Sequence, residues 1–291
     1  MPSLFGRPWQ LRFRAGALAG VLALAGTGLW TGCYLLPRPA PAPIRALPLE
    51  PPAAGAPCLV VFLPGRGDRP EHFERQGFDL LAREAGVRCE LLAVAAHLGY
   101  YRNRSVLDRL HQDVILPARA RGVEEIWLVG ISLGGVGALL YEAEHPGEIA
   151  GAVLLAPFLG NPPIIEEVTA AGGLAGWKPG PAPAGEEDFQ RRLWRFLHAR
   201  LTPPAPSTGG AGAAPGRPAP RLYLGWGEDD SFAGANRLLA DALPAEAVLT
   251  VPGGHDWPPW RDLFAGLLAR GALTPGSASA ALDSAPDGGS R

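Results

Sequence analysis

Residues 126–135, Ile-Trp-Leu-Val-Gly-Ile-Ser-Leu-Gly-Gly, constrain this chain more than any other stretch. Ile126-Trp127-Leu128-Val129 is an apolar run suited to a strand buried on both faces. Val136 to Ala143 reads as a helix. Ser132 therefore sits between glycines at a sharp turn from a buried strand to a helix. Side chains at positions 130 and 134 would collide with the neighbouring strand and helix, which is a reason for glycine at both. The turn holds Ser132 in a strained backbone conformation and directs its hydroxyl away from the sheet, near the positive end of the following helix. With 39 glycines in the chain, such a pattern is a modest signal by itself, since an ordinary tight turn reads the same way. The surrounding sequence decides.

The chain has 291 residues, 47% of them hydrophobic, with a formal net charge of -2, enough for one good-sized domain with a full core. The near-neutral balance and the lack of a basic stripe argue against nucleic acid as a partner. Residues 1–33 start with Arg7, Arg12 and Arg14 and continue through an apolar run from Ala15 to Trp30. The run is short for a spanning helix and resembles a secretory signal. It ends in Leu29-Trp30-Thr31-Gly32-Cys33, similar to a bacterial lipobox. That resemblance implies lipid on Cys33 and export to a membrane facing the periplasm or cell surface; an uncleaved amino-terminal anchor and ordinary secretion are the alternatives. Residues 34–57, rich in proline, read as an extended tether. Cys58 and Cys89 stand in strands expected to be neighbours, so either a disulfide in an oxidising compartment or two buried thiols fits them.

Across 58–271, apolar strands alternate with helical patterns. Strands are expected at 58–63, 87–95, 126–129, 149–155, 221–226 and 247–251, and helices at 71–85, 107–121 (with Pro117 as a possible kink), 136–143, 234–243 and 257–270. The alternation predicts an α/β fold, a mostly parallel sheet flanked by helices with right-handed crossovers. Residues 202–220 are of low complexity, and 272–291 read as a disordered tail.

Loops at the carboxyl ends of such strands gather at one rim. The polar residues expected there are Arg66, Asp68, His97, Ser132, Asn161, the Glu228-Asp229-Asp230 run and His255. A serine hydroxyl becomes nucleophilic when a base takes its proton and an acid orients that base. His255 follows the last strand on a Gly-Gly loop, which suits the base. The acid is expected at Asp230, with Asp229 in reserve.

The order Ser132, Asp230, His255, each after a strand, resembles the α/β-hydrolase superfamily over roughly residues 57–271. Gly253-Gly254-His255-Asp256-Trp257 is similar to the histidine loop of carboxylesterase-like members, in which an aromatic pair such as Trp257 and Trp260 packs behind the histidine. Pro64-Gly65-Arg66 departs from the His-Gly pair common after the first core strand. The resemblance implies a carboxylic ester or thioester hydrolase working through a serine ester, without metal or other cofactor, on a small-molecule ester. It also implies an oxyanion site formed by the backbone amides of Arg66 and Leu133. The side chain of Arg66 reads as a surface charge on a loop, with attraction of an acidic substrate as the alternative. The segment 158–201 stands after the sixth strand of the family pattern, the usual place for a cap. Phe158 and Trp177 there, with His97, are the expected substrate-pocket residues; packing of the cap aromatics onto the body is the competing reading. An acyltransferase with the same three residues and a non-catalytic surface lipoprotein of this fold are the rival functions.

Overall fold

The computed structural model describes residues 40–49, 56–180, 188–202 and 220–274. Seven strands form one sheet in the order β1-β3-β2-β4-β5-β6-β7. These are β1 (Ala46–Pro48), β2 (Cys58–Leu63), β3 (Glu90–Val94), β4 (Glu125–Ile131), β5 (Gly151–Leu155), β6 (Arg221–Gly227) and β7 (Val248–Val251). Six run parallel, and β1 pairs antiparallel with β3. The strand order reverses between β2 and β4, so a crevice opens beyond their carboxyl ends.

β2, β4 and β5 are buried along almost their whole length, as their unbroken apolar runs predict. Adjacent residues of β2 show how both faces are covered. Phe62 lies within ring-contact distance of Phe73, Phe78 and Phe264, carried by α1 (Pro70–Arg75), α2 (Phe78–Glu84) and α10 (Trp257–Ala269), the helix that follows α9 (Ala233–Ala240) in the chain. Leu63 points the other way, towards α6 (Leu133–Glu144), which packs on β4.

The expected helix at 71–85 is two helices, α1 and α2, because Gly77 turns the chain at φ 69°. The helical stretch expected at 107–121 comprises α4 (Val106–Leu110), a π segment (His111–Ile115) and α5 (Leu116–Ala120). Pro117 cannot donate to the carbonyl one turn back, and the wider turn before it absorbs that break. Among the elements to which the sequence reading assigned no strand or helix are β1 and α3 (Leu98–Arg102).

Two expected boundaries move. Residues 40–49 were assigned to the tether, yet they carry the edge strand β1, with Ile44 and Leu49 buried. The N–H of Ile44 donates to Asp113 Oδ2 at 2.7 Å, and Arg45 pairs with Glu71 on α1. Pro48 is tolerated because an edge strand needs hydrogen bonds on one side only. At the other end Ala272 and Leu273, assigned to the tail, are buried against the core. Cys33, the signal, half of the tether (34–39 and 50–55), residues 181–187 of the cap segment, most of the low-complexity loop and residues 275–291 lie outside the described residues. Among the described residues no helix is long and apolar enough to cross a membrane.

Cys58 and Cys89 are joined by a disulfide, with Cα atoms 4.6 Å apart, which decides between the two expectations for this pair. Cys58 opens β2, so the bridge lies at the end of the sheet away from the crevice.

The cap follows the fifth strand of this seven-stranded sheet and contains α7 (Pro162–Ala170) and α8 (Phe189–Leu201). A buried ion pair between Arg200 on α8 and Glu142 on α6 ties it to the body, and Trp194 donates its indole N–H to the Leu159 carbonyl at 2.8 Å. Within the cap Glu167 receives Trp177 Nε1 at 2.9 Å and both Arg191 terminal nitrogens.

Candidate active site

Ser132 ends β4 and precedes α6, at φ 51° and ψ -110°, a left-handed conformation unusual for a residue with a side chain. Its neighbours leave the backbone no room to relax. A Cβ at Gly134 would stand 2.1 Å from the carbonyl oxygen of Leu63, and one at Gly130 2.4 Å from that of Gly134. Backbone bonds from the Ser132 N–H to Leu155 and from the Phe158 N–H to Ser132 fix the turn from the β5 side.

Asp230 and His255 come from the turns after β6 and β7. These turns touch through backbone: the Glu228 N–H donates to Val251 and the Asp229 N–H to Gly253. A Cβ at Gly227 would meet the Gly253 carbonyl at 2.2 Å, so the approach requires glycine there. The result is a continuous chain of hydrogen bonds. Asp230 Oδ2 lies 2.7 Å from His255 Nδ1, and His255 Nε2 lies 2.9 Å from Ser132 Oγ. The second Asp230 oxygen accepts the Phe232 N–H at 2.7 Å. The carboxylate is fully buried, whereas the His255 ring is one-quarter exposed. Asp229, the reserve acid, is exposed to solvent. The imidazole is held edge-on by Phe232 at 4.8 Å and Trp260 at 5.0 Å, and Trp257 packs on Trp260 at 5.3 Å.

Leu133 is the first residue of α6, so its N–H has no intrahelical acceptor. The Pro64–Asp68 loop leaves β2, the neighbour of β4. It passes close to the serine, since a Cβ on Gly65 would sit 3.6 Å from Ser132 Cβ. The Arg66 amide thus belongs to the loop that flanks the hydroxyl. Asp68 anchors that loop, because its Oδ1 lies 2.7 Å from His72 Nδ1 and 3.3 Å from Trp257 Nε1. The sequence marked Asp68 as a rim residue and did not reveal this tie, which joins parts of the chain 189 residues apart.

A cavity of about 1170 Å³ opens on Ser132. Phe158 lines it. Trp177 does not: it is buried inside the cap, with its indole N–H on Glu167. His97 does not line it either; it caps α3, accepting the Gly99 N–H on Nδ1 at 3.1 Å and packing against Tyr100. Hydrophobicity announced that Trp177 would be buried, but not against what. The short α3 supplies wall residues that the sequence reading missed, among them Tyr101 and Arg102. Burial pushes the Tyr101 phenol well above its ordinary range, and its hydroxyl has no hydrogen-bond partner.

Among the described residues one trio could hold a metal ion: His111, His145 and Glu148, with ligand atoms within 4.8 Å of one another. Sequence spacing gave no sign of it, because the residues come from the π segment, the end of α6 and the loop before β5. Tyr141 donates to Glu148 at 2.6 Å within this cluster. It stands at the far end of α6, about 18 Å from Ser132 at the usual rise per residue, outside any reaction at the serine.

No curated protein matches the chain. Among solved structures it is similar to an S-formylglutathione hydrolase from Staphylococcus aureus, at 15% identity and a TM-score of 0.48, covering 74% of this chain and 80% of that one. It is also similar to a monoacylglycerol lipase from Paleococcus ferrophilus, at 16% identity and a TM-score of 0.48, covering 78% of this chain and 99% of that one. Both likenesses are distant, and the assignment rests on sequence together with topology. The pattern of the alpha/beta hydrolase family matches residues 60–269, most of the chain and the sheet from within β2 to β7, and the chain belongs to that family.

Proposed function

We propose that this protein is a serine hydrolase that cleaves carboxylic ester or thioester bonds through an acyl-enzyme intermediate. The observation that carries the proposal is the unbroken hydrogen-bond chain from buried Asp230 through His255 to Ser132 Oγ. A carboxylate on Nδ1 keeps the proton on that nitrogen and leaves the Nε2 lone pair facing the hydroxyl. As Ser132 Oγ bonds to the substrate carbonyl carbon, its proton moves to Nε2, and Asp230 stabilises the imidazolium. The carbonyl oxygen becomes an oxyanion accepting from the N–H groups of Leu133 and Arg66, each worth about 3–4 kcal/mol in the transition state. His255 then returns the proton to the departing alcohol or thiol. Water repeats the sequence on the acyl-serine and frees the acid.

Hydrolysis of a series of 4-nitrophenyl esters by the wild type and by Ser132→Ala tests this reading. Turnover by the wild type, with loss to near background in the variant, supports it. Equal rates in both proteins, or none in the wild type, would defeat it. Product analysis in the presence of alcohols decides whether water or an alcohol receives the acyl group. The same reading has the enzyme exported and held at a membrane by lipid on Cys33, in keeping with the Cys58–Cys89 disulfide. Metabolic labelling with a radioactive fatty acid, lost in Cys33→Ala, is the expected result.

A further inference from the structure

The cavity at Ser132 is built asymmetrically. Leu133, Val136 and Leu140 line it at successive turns of α6, and Glu144 lines it one turn beyond. These positions share one helix face, so the cavity is a trough running up to about 18 Å along α6 from the nucleophile. Phe158 and Phe232 add to the apolar wall beside the serine. Leu98, Val106, Leu107 and Phe189 extend the apolar lining, and the charged lining is predominantly basic, with Arg66, Arg102, Arg104 and Arg192 against Asp108 and Glu144. That leaves an excess of two positive charges in a chain whose formal net charge is -2.

The arginines arrive from three separate parts of the chain: the loop after β2, the segment around α3, and cap helix α8. Arg192 meets Glu144 at 3.4 Å. Among the described residues neither Arg66 nor Arg102 forms an ion pair, and both are exposed. Arg66 is also next to Gly65, which approaches Ser132. A trough with an apolar floor and guanidinium groups at its rim matches an ester of matching character. Concave walls of one sign concentrate the opposite charge, and a guanidinium offers paired donors that fit carboxylate or phosphate oxygens.

We infer that the substrate is an amphiphilic ester bearing an anionic group, a carboxylate or phosphate, on its acyl or alcohol part. Its apolar portion lies along α6, and its anion is held by Arg66 and Arg102, with Arg104 and Arg192 contributing to the field. The inference rests on the serine-hydrolase reading above and names the substrate class of that site.

Matched ester pairs separate the two. For the acyl side the pair is mono(4-nitrophenyl) glutarate and its neutral methyl ester; for the alcohol side it is 4-acetoxybenzoate and its methyl ester. Each kcat/KM is divided by the hydroxide-catalysed rate of the same compound. The expected result is that the anionic member of at least one pair is preferred about tenfold or more. That preference should shrink as ionic strength rises through the range where exposed charges are screened. In Arg102→Glu the anion-to-neutral ratio should fall about tenfold, and in Arg102→Lys by less. Labelling by a fluorophosphonate checks that each variant retains its catalytic serine. Turnover of the neutral esters without anionic preference in either pair would overturn the inference alone. An anionic preference that survives both Arg102→Glu and Arg104→Glu would also overturn it. Failure of every ester together with absence of labelling would overturn the hydrolase reading, and the inference with it.

Discussion

Replacing Asp230 by asparagine should all but stop catalysis while leaving the fold intact, for a reason contained in three hydrogen bonds. Asp230 Oδ1 accepts the Phe232 N–H at 2.7 Å, and Oδ2 lies 2.7 Å from His255 Nδ1. In Asp230→Asn the amide oxygen keeps the bond to Phe232, because only an oxygen can accept there. The NH2 group then takes the place facing Nδ1. It donates to that nitrogen, which must be bare, so the ring proton moves to Nε2. Nε2 lies 2.9 Å from Ser132 Oγ and now donates where it has to accept. The wrong tautomer of an otherwise intact site costs about 10⁴ in kcat, equivalent to roughly 5 kcal/mol of transition-state stabilisation. Because the side chain is isosteric and keeps its bond to the backbone, the melting temperature should fall by only a few degrees. Asp229→Asn, which alters an exposed carboxylate whose backbone N–H bonds Gly253, should hydrolyse within about twofold of the wild type. Steady-state hydrolysis of a 4-nitrophenyl ester, with a calorimetric melt of each variant, measures all of this. A fully folded Asp230→Asn protein with more than about a tenth of wild-type kcat would refute the reasoning. So would an equal loss in Asp229→Asn.

Gly134→Ala should destabilise the protein by more than about 3 kcal/mol and abolish fluorophosphonate labelling, since the new Cβ lands 2.1 Å from the Leu63 backbone oxygen. A normal melt with normal labelling would contradict the close approach. Removing the disulfide in Cys58→Ser/Cys89→Ser opens a closure spanning 31 residues, worth about 4 kcal/mol in the chain-entropy account. The melt should drop by roughly 10 °C, with kcat unchanged because the bridge is at the opposite end of the sheet; a melt equal to that of the oxidised wild type would exclude a stabilising bridge. The Glu167 carboxyl is held below its ordinary range, first by Arg191 and then by the Trp177 indole N–H. Its folded value lies below the unfolded one, so its contribution is complete above the ordinary carboxylate range and is lost as pH falls through the lowered value. Hydrogen-exchange protection factors in α7 and α8, corrected for the intrinsic rate at each pH, should therefore fall on acidification in the wild type and show no such acid step in Glu167→Gln.

How much of this was legible beforehand depends on how local each signal is. Ser132 and His255 could be read because the glycines that let the backbone approach its neighbours sit beside them in sequence. The sequence favours Asp230 over Asp229 but keeps the latter in reserve, since two adjacent carboxylates look alike until the turn buries one of them. Elements too short to show a period were lost. The three residues of β1 contain a proline and passed for tether, and the five residues of α3 hid Tyr101 and Arg102 from the pocket. Alternation and strand order were enough to bring Cys58 and Cys89 together, yet the redox state of the pair is not written in its neighbours. Contacts such as Asp68 with Trp257, or His111 with His145 and Glu148, join distant segments through side chains alone. No pattern along the chain announces those.

The central claim is that Ser132 becomes a nucleophile because His255 and Asp230 make it one. Intact-mass spectrometry after exposure to a fluorophosphonate, followed by peptide mapping, tests it most directly. The account predicts a single adduct on the peptide containing Ser132 in the wild type, no adduct in Ser132→Ala, and labelling slowed by orders of magnitude in His255→Ala. An adduct on another residue, or labelling of Ser132 at the same rate without His255, would contradict it.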